Sequence, residues 1–210
     1  MESEICSNCG AEIKNGFLHP NSFLIESRVK GLNSLLGLTK ESYCEKCFPN
    51  LNAHVKKIFN EYDRFISDYI HLVPVLTTHT PFGWNYKPLG IVTGQSVTGT
   101  GVISEFTSGF TDFFGQQSGS FIRKIANGEK MCLAQLRIKT VQMGGHAVIA
   151  TDIDYGELGS IKGMIMVCAA GTAVELNDIS ILGDKQKILN ELTIKSRWMK
   201  VYGEKWENSI

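Results

Sequence analysis

Two Cys-x-x-Cys pairs near the N-terminus constrain the fold of this chain more than any other feature. They are Cys6-Ser7-Asn8-Cys9 and Cys44-Glu45-Lys46-Cys47. Two residues between thiolates let both sulfurs approach one tetrahedral zinc ion at about 2.3 Å each, so two such pairs complete a four-thiolate site. One pair alone would be ambiguous between metal and redox chemistry, whereas two predict one structural zinc ion per chain, held by Cys6, Cys9, Cys44 and Cys47.

The predicted zinc site is closed. Four thiolates leave no coordination position for water, so the ion would stabilise the protein and not catalyse. Gly10 follows the first pair, where a zinc knuckle needs a backbone turn. The 34 residues between the pairs (residues 10–43) exceed the usual zinc-ribbon spacing, and His19 or His54 could replace a cysteine as ligand.

A helix is predicted directly after the second pair. Apolar residues recur at spacings of three and four from Leu51 to Tyr69, which predicts an amphipathic helix over about 50–71, with Pro49 in its first turn. A helix N-terminus favours the negative charge of a four-thiolate centre. With a hairpin over residues 17–38, residues 1–72 would form a module that resembles a treble-clef or zinc-ribbon-like finger.

Charge and hydropathy limit the partners. Lys+Arg and Asp+Glu both number 21, so the formal net charge is +0. Non-specific nucleic-acid binding needs clustered cations, and the sequence has no such cluster. The acidic start, Met1–Glu4, leads into no apolar stretch, so no signal peptide is predicted, and no run approaches the roughly 20 apolar residues of a membrane span. We expect a reducing, cytoplasmic location, where paired cysteines bind metal.

The pattern of residue types changes at Val73-Pro74, where a second domain is predicted over residues 73–176. Strands are predicted at about 75–78, 89–94, 147–153 and 163–174, and a helix at 118–143. Gly144-Gly145 would end that helix. Residues 177–210 form a tail with a predicted helix over about 184–199, whose apolar side needs a surface to cover it. The fold class is α+β.

Six segments of the second domain resemble the YbjQ family. They are Thr77–Pro81, Ile91–Gly94, Phe113–Gly119, Gly145–Ile149, Asp152–Tyr155 and Gly171–Val174. The resemblance implies a β-α-β-β fold that assembles into a homopentamer, from a family labelled heavy-metal-binding whose biochemical function is not established. Where the family usually has an acidic residue, an Arg and a Tyr-Glu pair, this chain has Gln95, Gln117 and Phe121-Ile122, which would largely neutralise a charged family site.

A second metal site could involve Asp152, Asp154 and His146. The two aspartates lie two apart on a strand and so share a face, where they could bind a hard cation. The alternative is a solvated strand end beside a surface histidine. The glycines at 94, 99 and 101 lack the Gly-Lys-Ser/Thr of a phosphate loop, so they predict turns. Cys132 and Cys168 are predicted to be buried and inert.

No nucleophile–base pair is visible in the sequence, so no catalytic residue is predicted. We expect a non-catalytic, self-assembling protein in which the zinc finger stabilises the chain or recruits a protein partner. Two alternatives stay open. One is a metal-responsive or metal-sequestering protein that uses the thiolates or the Asp152 region. The other is an enzyme or small-molecule binder whose site lies between subunits, near the glycine-rich turn and Asp152.

Overall fold

The structure is a computed structural model that describes residues 4–13, 21–98, 121–157 and 165–207. His19, Gln117, Gly99, Gly101 and the segment 113–119 lie outside these ranges. Contacts divide the chain into two compact units, Met1–Arg64 with Trp198–Ile210, and Phe65–Arg197. The sequence-based division into residues 1–72, 73–176 and 177–210 concerns which segments fold independently, and it stays a prediction. Within the described ranges, no helix has both the length and the apolar character needed to cross a bilayer.

The first unit begins with a short antiparallel hairpin and a helix. Strands β1 (Glu4–Ile5) and β2 (Glu12–Ile13) pair with each other, and helix α1 spans Glu26–Leu36. The prediction of a hairpin over residues 17–38 was wrong, because α1 occupies most of its described part. Val29, Leu32 and Leu35 are buried at helical spacing, and Gly37 ends the helix in the left-handed conformation at φ 63°.

Two long helices complete the first unit. Helix α2 spans Phe48–Tyr69, close to its prediction, and the C-terminal helix α4 spans Gln186–Glu207. The predicted end of α4 at residue 199 was too early. Trp198, Tyr202 and Trp206 continue the apolar spacing of four, and the ring of Trp198 lies 5.2 Å from that of Phe59. The boundary between the units falls within both helices.

The second unit has the predicted β-α-β-β order. Strand β3 (Tyr86–Thr98) is followed by helix α3 (Phe121–Gln142) and by strands β4 (Ala147–Glu157) and β5 (Ile165–Leu176), with short 3-10 helices at Ile70–Leu72 and Ile179–Lys185. The sheet is antiparallel in the order β3-β5-β4. The strand predicted at 75–78 is a single bridge, in which Val75 pairs with Val148 at the outer edge of β4.

The two faces of this sheet have different surroundings. One face packs on α3 through Val92, Val167 and Ala169, with Leu136 and Cys132 on the helix. The opposite face, called here the open sheet face, is defined by exposed residues of all three strands: Ile91, Thr93, Gln95, Val97, Asp152, Asp154 and Ala170. Strand pairing places Thr93 and Asp152 on either side of Ala170, so these residues form a continuous surface.

Glycine allows the close approach of α3 to the sheet. A Cβ atom at Gly94 would lie 2.4 Å from the backbone oxygen of Cys132, and one at Gly128 would lie 2.8 Å from a Val167 methyl group. The first contact is with helix backbone and cannot be relieved by a side-chain rotation. Gly94 therefore sets the distance between β3 and α3.

We expect Gly94→Ala to destabilise the second unit by about 3 kcal/mol or more, because the methyl group forces the helix away from the sheet. Gly156→Ala is the matched control in β4, since the nearest atom to its Cβ would be Met166 Cε at 3.6 Å, an ordinary contact. Denaturant unfolding followed by circular dichroism measures both. Equal stability of the two variants would contradict this account of the packing.

Candidate metal centre

The first Cys-x-x-Cys pair lies in the turn that joins β1 to β2. The backbone N–H of Cys6 donates to Ala11 O at 3.0 Å, and that of Gly10 donates to Cys6 O at 2.9 Å. Gly10 has φ 72°, a conformation that favours glycine, as the sequence predicted. These bonds fold the chain back after Cys9 and turn both sulfurs to the same side.

The second pair lies where an extended segment enters α2. Cys44 forms an antiparallel bridge with Phe23, and the backbone N–H of Cys47 donates to Cys44 O at 2.9 Å. Helix α2 begins at Phe48, the residue after Cys47. The pair therefore precedes a helix N-terminus, where unpaired backbone N–H groups favour negative charge.

The four cysteine sulfurs converge on one point. All four Sγ atoms lie within 4.8 Å of one another. Cys9 Sγ lies 3.8 Å from Cys44 Sγ, which lies 3.6 Å from Cys47 Sγ. A tetrahedral ion with metal–sulfur distances of about 2.3 Å has sulfurs about 3.8 Å apart, whereas a disulfide bond is about 2.05 Å long. The arrangement therefore fits a tetrahedral metal ion.

The environment of the cluster is mainly apolar. Cys6, Cys44 and Cys47 are buried and Cys9 is exposed, with Ile13, Phe23 and Leu51 packed around them. The Asn8 side-chain amide donates to Cys47 Sγ at 3.3 Å. The sequence reasoning missed Asn8, although its place between the first two cysteines could have indicated a donor to the sulfurs.

Burial and hydrogen bonding shift the pKa values of Cys44 and Cys47 in opposite directions. Burial raises the pKa of Cys44, but hydrogen bonds from the Cys47 backbone and the Asn21 side chain outweigh it and bring that pKa to about 7. Burial, followed by the neighbouring Cys9 and Cys44, raises the pKa of Cys47 to about 12. A divalent cation at the cluster would be coordinated by all four cysteines as thiolates. Its binding would therefore release protons and would weaken as the pH falls.

The other predicted metal ligands do not join a comparable group. Among the described residues, the four cysteines are the only set of three or more candidate ligands within this distance. His54 is exposed on α2. Asp152 and Asp154 are exposed on β4, and Asp152 accepts the Ile153 backbone N–H at 3.0 Å. His146 is buried, and its Nδ1 accepts the Leu176 backbone N–H at 3.1 Å.

The two remaining cysteines, Cys132 and Cys168, lie apart from the cluster in sequence, and neither forms a disulfide bond within the described residues. Cys132 is buried, donates to Val167 O at 3.2 Å, and has its pKa raised to about 11, chiefly by burial. An inert thiol was predicted there. Cys168, predicted to be buried, is half-buried, because alternation along β5 directs it away from α3 while Val167 faces the helix.

Fold and site together define a two-part chain, a four-cysteine module and an α+β domain of β-α-β-β order. A family model named YbjQ_1 and described as "Putative heavy-metal-binding" matches residues 73–177. The match spans half of the chain, and the chain belongs to the YbjQ family. This agrees with the resemblance inferred from its sequence segments.

Curated bacterial relatives match the chain over 40% to 50% of its length. A UPF0145 protein of Clostridium botulinum is 38% identical over 85 residues, which cover 40% of this chain and 80% of the relative. A UPF0145 protein of Bifidobacterium longum subsp. infantis is 34% identical over 109 residues, which cover 50% of this chain and 97% of the relative. A solved DUF74-family protein of unknown function from Pediococcus pentosaceus covers 49% of this chain and 96% of its own, at 12% identity and a TM-score of 0.32.

The family match and the cysteine cluster occupy different parts of the chain. The matched residues begin at 73, after the last cysteine of the cluster at position 47. The description of the family therefore concerns the second unit and not the four thiols. Metal binding at the cluster is supported by its own geometry alone.

Proposed function

We propose that this chain is a non-catalytic, cytoplasmic protein in which one zinc ion stabilises the four-cysteine module and the YbjQ domain assembles into a homopentamer. The observation that carries the zinc assignment is the convergence of four thiol sulfurs at tetrahedral spacing. Closed four-thiolate sites are structural zinc sites. Reducing conditions in the cytoplasm would keep the four thiols available to the metal.

Purified protein should contain one zinc ion per chain by elemental analysis. Cys44→Ser should lose most of it, because a three-thiolate site binds more weakly and leaves a buried hydroxyl at the metal. Cys168→Ser should keep it, which makes it the matched control. Uptake of several further ions under metal excess would favour a metal-sequestering protein, and iron in place of zinc would contradict the zinc assignment.

The stabilising role of zinc follows from the small size of the first unit. Its core is built around Leu32, Tyr43, Val55 and Trp206, with Phe48 and Trp198 at its edges. The cysteine cluster packs against Leu51, which also contacts that core. A module of this size depends on additional constraints beyond its apolar contacts, so losing the metal should loosen the core as well as the cluster.

Chelation of the metal should expose Trp198 and Trp206, because both belong to the core of the first unit. The third tryptophan, Trp84, packs in the second unit against Ala147, Ile149 and Val174. A Trp84→Phe variant therefore reports on the first unit alone, and its fluorescence should shift to longer wavelength on addition of a zinc chelator. Hydrogen exchange in β3 and β5 should stay slow. Loss of that protection at the same chelator concentration would show that the two units unfold together.

Backbone groups along both outer edges of the sheet in the second unit form hydrogen bonds with other residues of the same unit. On the outer edge of β3, the side chain of Gln135 accepts the Gln95 backbone N–H at 3.0 Å and donates to Gln95 O at 2.9 Å. Lys139 Nζ donates to Thr93 O at 2.6 Å. Along β4, the Leu76 backbone N–H donates to Val148 O at 2.9 Å. These bonds block edge-to-edge strand pairing at those positions.

The exposed residues of the open sheet face support the proposal of self-assembly. Ile91 is 78% exposed and Val97 is 46% exposed, both on this face of β3. Exposed apolar residues grouped on one face are typical of protein interfaces. Thr93 and Gln95 lie between these two residues on β3, and Asp152 and Asp154 belong to the same face on β4. The face therefore combines apolar and polar groups, as non-obligate interfaces do. A second copy of the chain is the proposed occupant, and the family resemblance implies five copies.

Light scattering after size exclusion should give a mass of about five chains for the wild-type protein. Ile91→Asp should shift the mass towards the monomer, because a buried unpaired carboxylate disfavours the interface. Phe82→Asp makes a similar change at a fully exposed residue in the loop before β3 and should leave the mass unchanged. A wild-type monomer at micromolar concentration would rule out the assembly.

A further inference from the structure

A cleft of about 330 Å³ lies in the second unit beside the turn between α3 and β4. Gly144 and His146 line it from that turn, Glu175 from the end of β5, and Asn190 and Arg197 from α4. The Thr193 hydroxyl, at 3.0 Å from Leu189 O and 3.2 Å from Gly145 O, connects α4 to the turn. The walls of the cleft are therefore joined to each other without a ligand.

His146 provides a fixed hydrogen-bond donor at this cleft. The residue is 9% exposed, and its Nδ1 accepts the Leu176 backbone N–H at 3.1 Å. In a neutral ring this bond assigns the proton to Nε2. Burial lowers the pKa of His146 more strongly than Glu175 raises it, which favours the neutral ring. Within the described residues, no protein group accepts from Nε2, so this N–H is available to a ligand.

The cleft also carries one charge of each sign. Glu175 and Arg197 both line it, and neither forms an ion pair in the part of the chain that the structure describes. Arg197 approaches the turn closely: its Cδ and Nη1 lie 3.4 Å from the position that a Cβ of Gly144 would occupy. Ile194, which is 61% exposed, adds an apolar wall on the same helix.

We propose that this cleft binds a small zwitterion, namely a free α-amino acid with an apolar side chain. Its carboxylate would contact Arg197 and the Nε2–H of His146, its ammonium group would contact Glu175, and its side chain would lie against Ile194. Both charged side chains are exposed at the cleft. A ligand that carries both charges therefore gains two charge-assisted contacts there, whereas a simple anion or a simple cation gains only one.

Equilibrium dialysis of the full chain with radiolabelled L-leucine tests the proposal. Saturable binding at millimolar concentrations is expected. 4-Methylpentanoate lacks the amino group of leucine and 3-methylbutylamine lacks its carboxylate, so each should compete roughly tenfold more weakly than unlabelled leucine, or worse. Absence of saturable leucine binding would overturn the proposal. Equal competition by 4-methylpentanoate would also overturn it, since it would indicate a simple anion site.

Variants of the two charged residues locate the binding. Arg197→Gln and Glu175→Gln should each weaken leucine binding by roughly tenfold, since each removes a charge-assisted contact. Lys187→Gln on the same helix and Asp184→Asn just before it are matched controls on exposed residues outside the cleft lining, and they should bind as the wild type does. Circular dichroism verifies that all four variants are folded. Leucine binding that survives Arg197→Gln would show that the site lies elsewhere.

Discussion

Four thiol groups in mutual contact are the constraint on which the first unit depends. The hairpin turn at Gly10 and the entry to α2 bring the sulfurs together, and the surrounding apolar residues exclude water from three of them. Burial, followed by the neighbouring Cys9 and Cys44, raises the pKa of Cys47, which disfavours its thiolate in the absence of a cation. A bound cation would stabilise the thiolates and would crosslink the two Cys-x-x-Cys segments, which are distant in sequence.

In the second unit, the constraint on which the other contacts depend is the close approach of α3 to the sheet. Because Gly94 admits the helix backbone, α3 lies near enough for Gln135 and Lys139 to bind the outer edge of β3. One helix thus buries one face of the sheet and occupies part of one edge. The open sheet face is what these contacts leave exposed, so the surface proposed for self-assembly follows from the same packing that stabilises the domain.

Local patterns predicted much of this structure, and tertiary contacts decided the rest. The cysteine spacing, helix α2 and most elements of the second unit have short-range signals of residue type and period, whereas the β-α-β-β order was implied by the family resemblance. Helix α1 had such signals too, in Val29, Leu32, Leu35 and Gly37, but the expectation of a zinc-ribbon hairpin took precedence over them. The cleft had no such signal. His146, Glu175 and Arg197 are 29 and 22 residues apart, and only the packing of α4 beside the sheet brings them together.

The position of the family match separates what this chain shares from what it adds. His146 and Glu175 lie inside the matched residues 73–177, whereas Arg197 and the rest of α4 lie beyond them. The Bifidobacterium longum relative is matched over 97% of its length by 109 residues of this chain, a length close to that of the family match. The α4 residues of the cleft and all four clustered cysteines thus lie outside the residues that the family model matches. Zinc binding would then depend only on residues outside the match, zwitterion binding on residues from both inside and outside it, and self-assembly through the open sheet face on the matched domain.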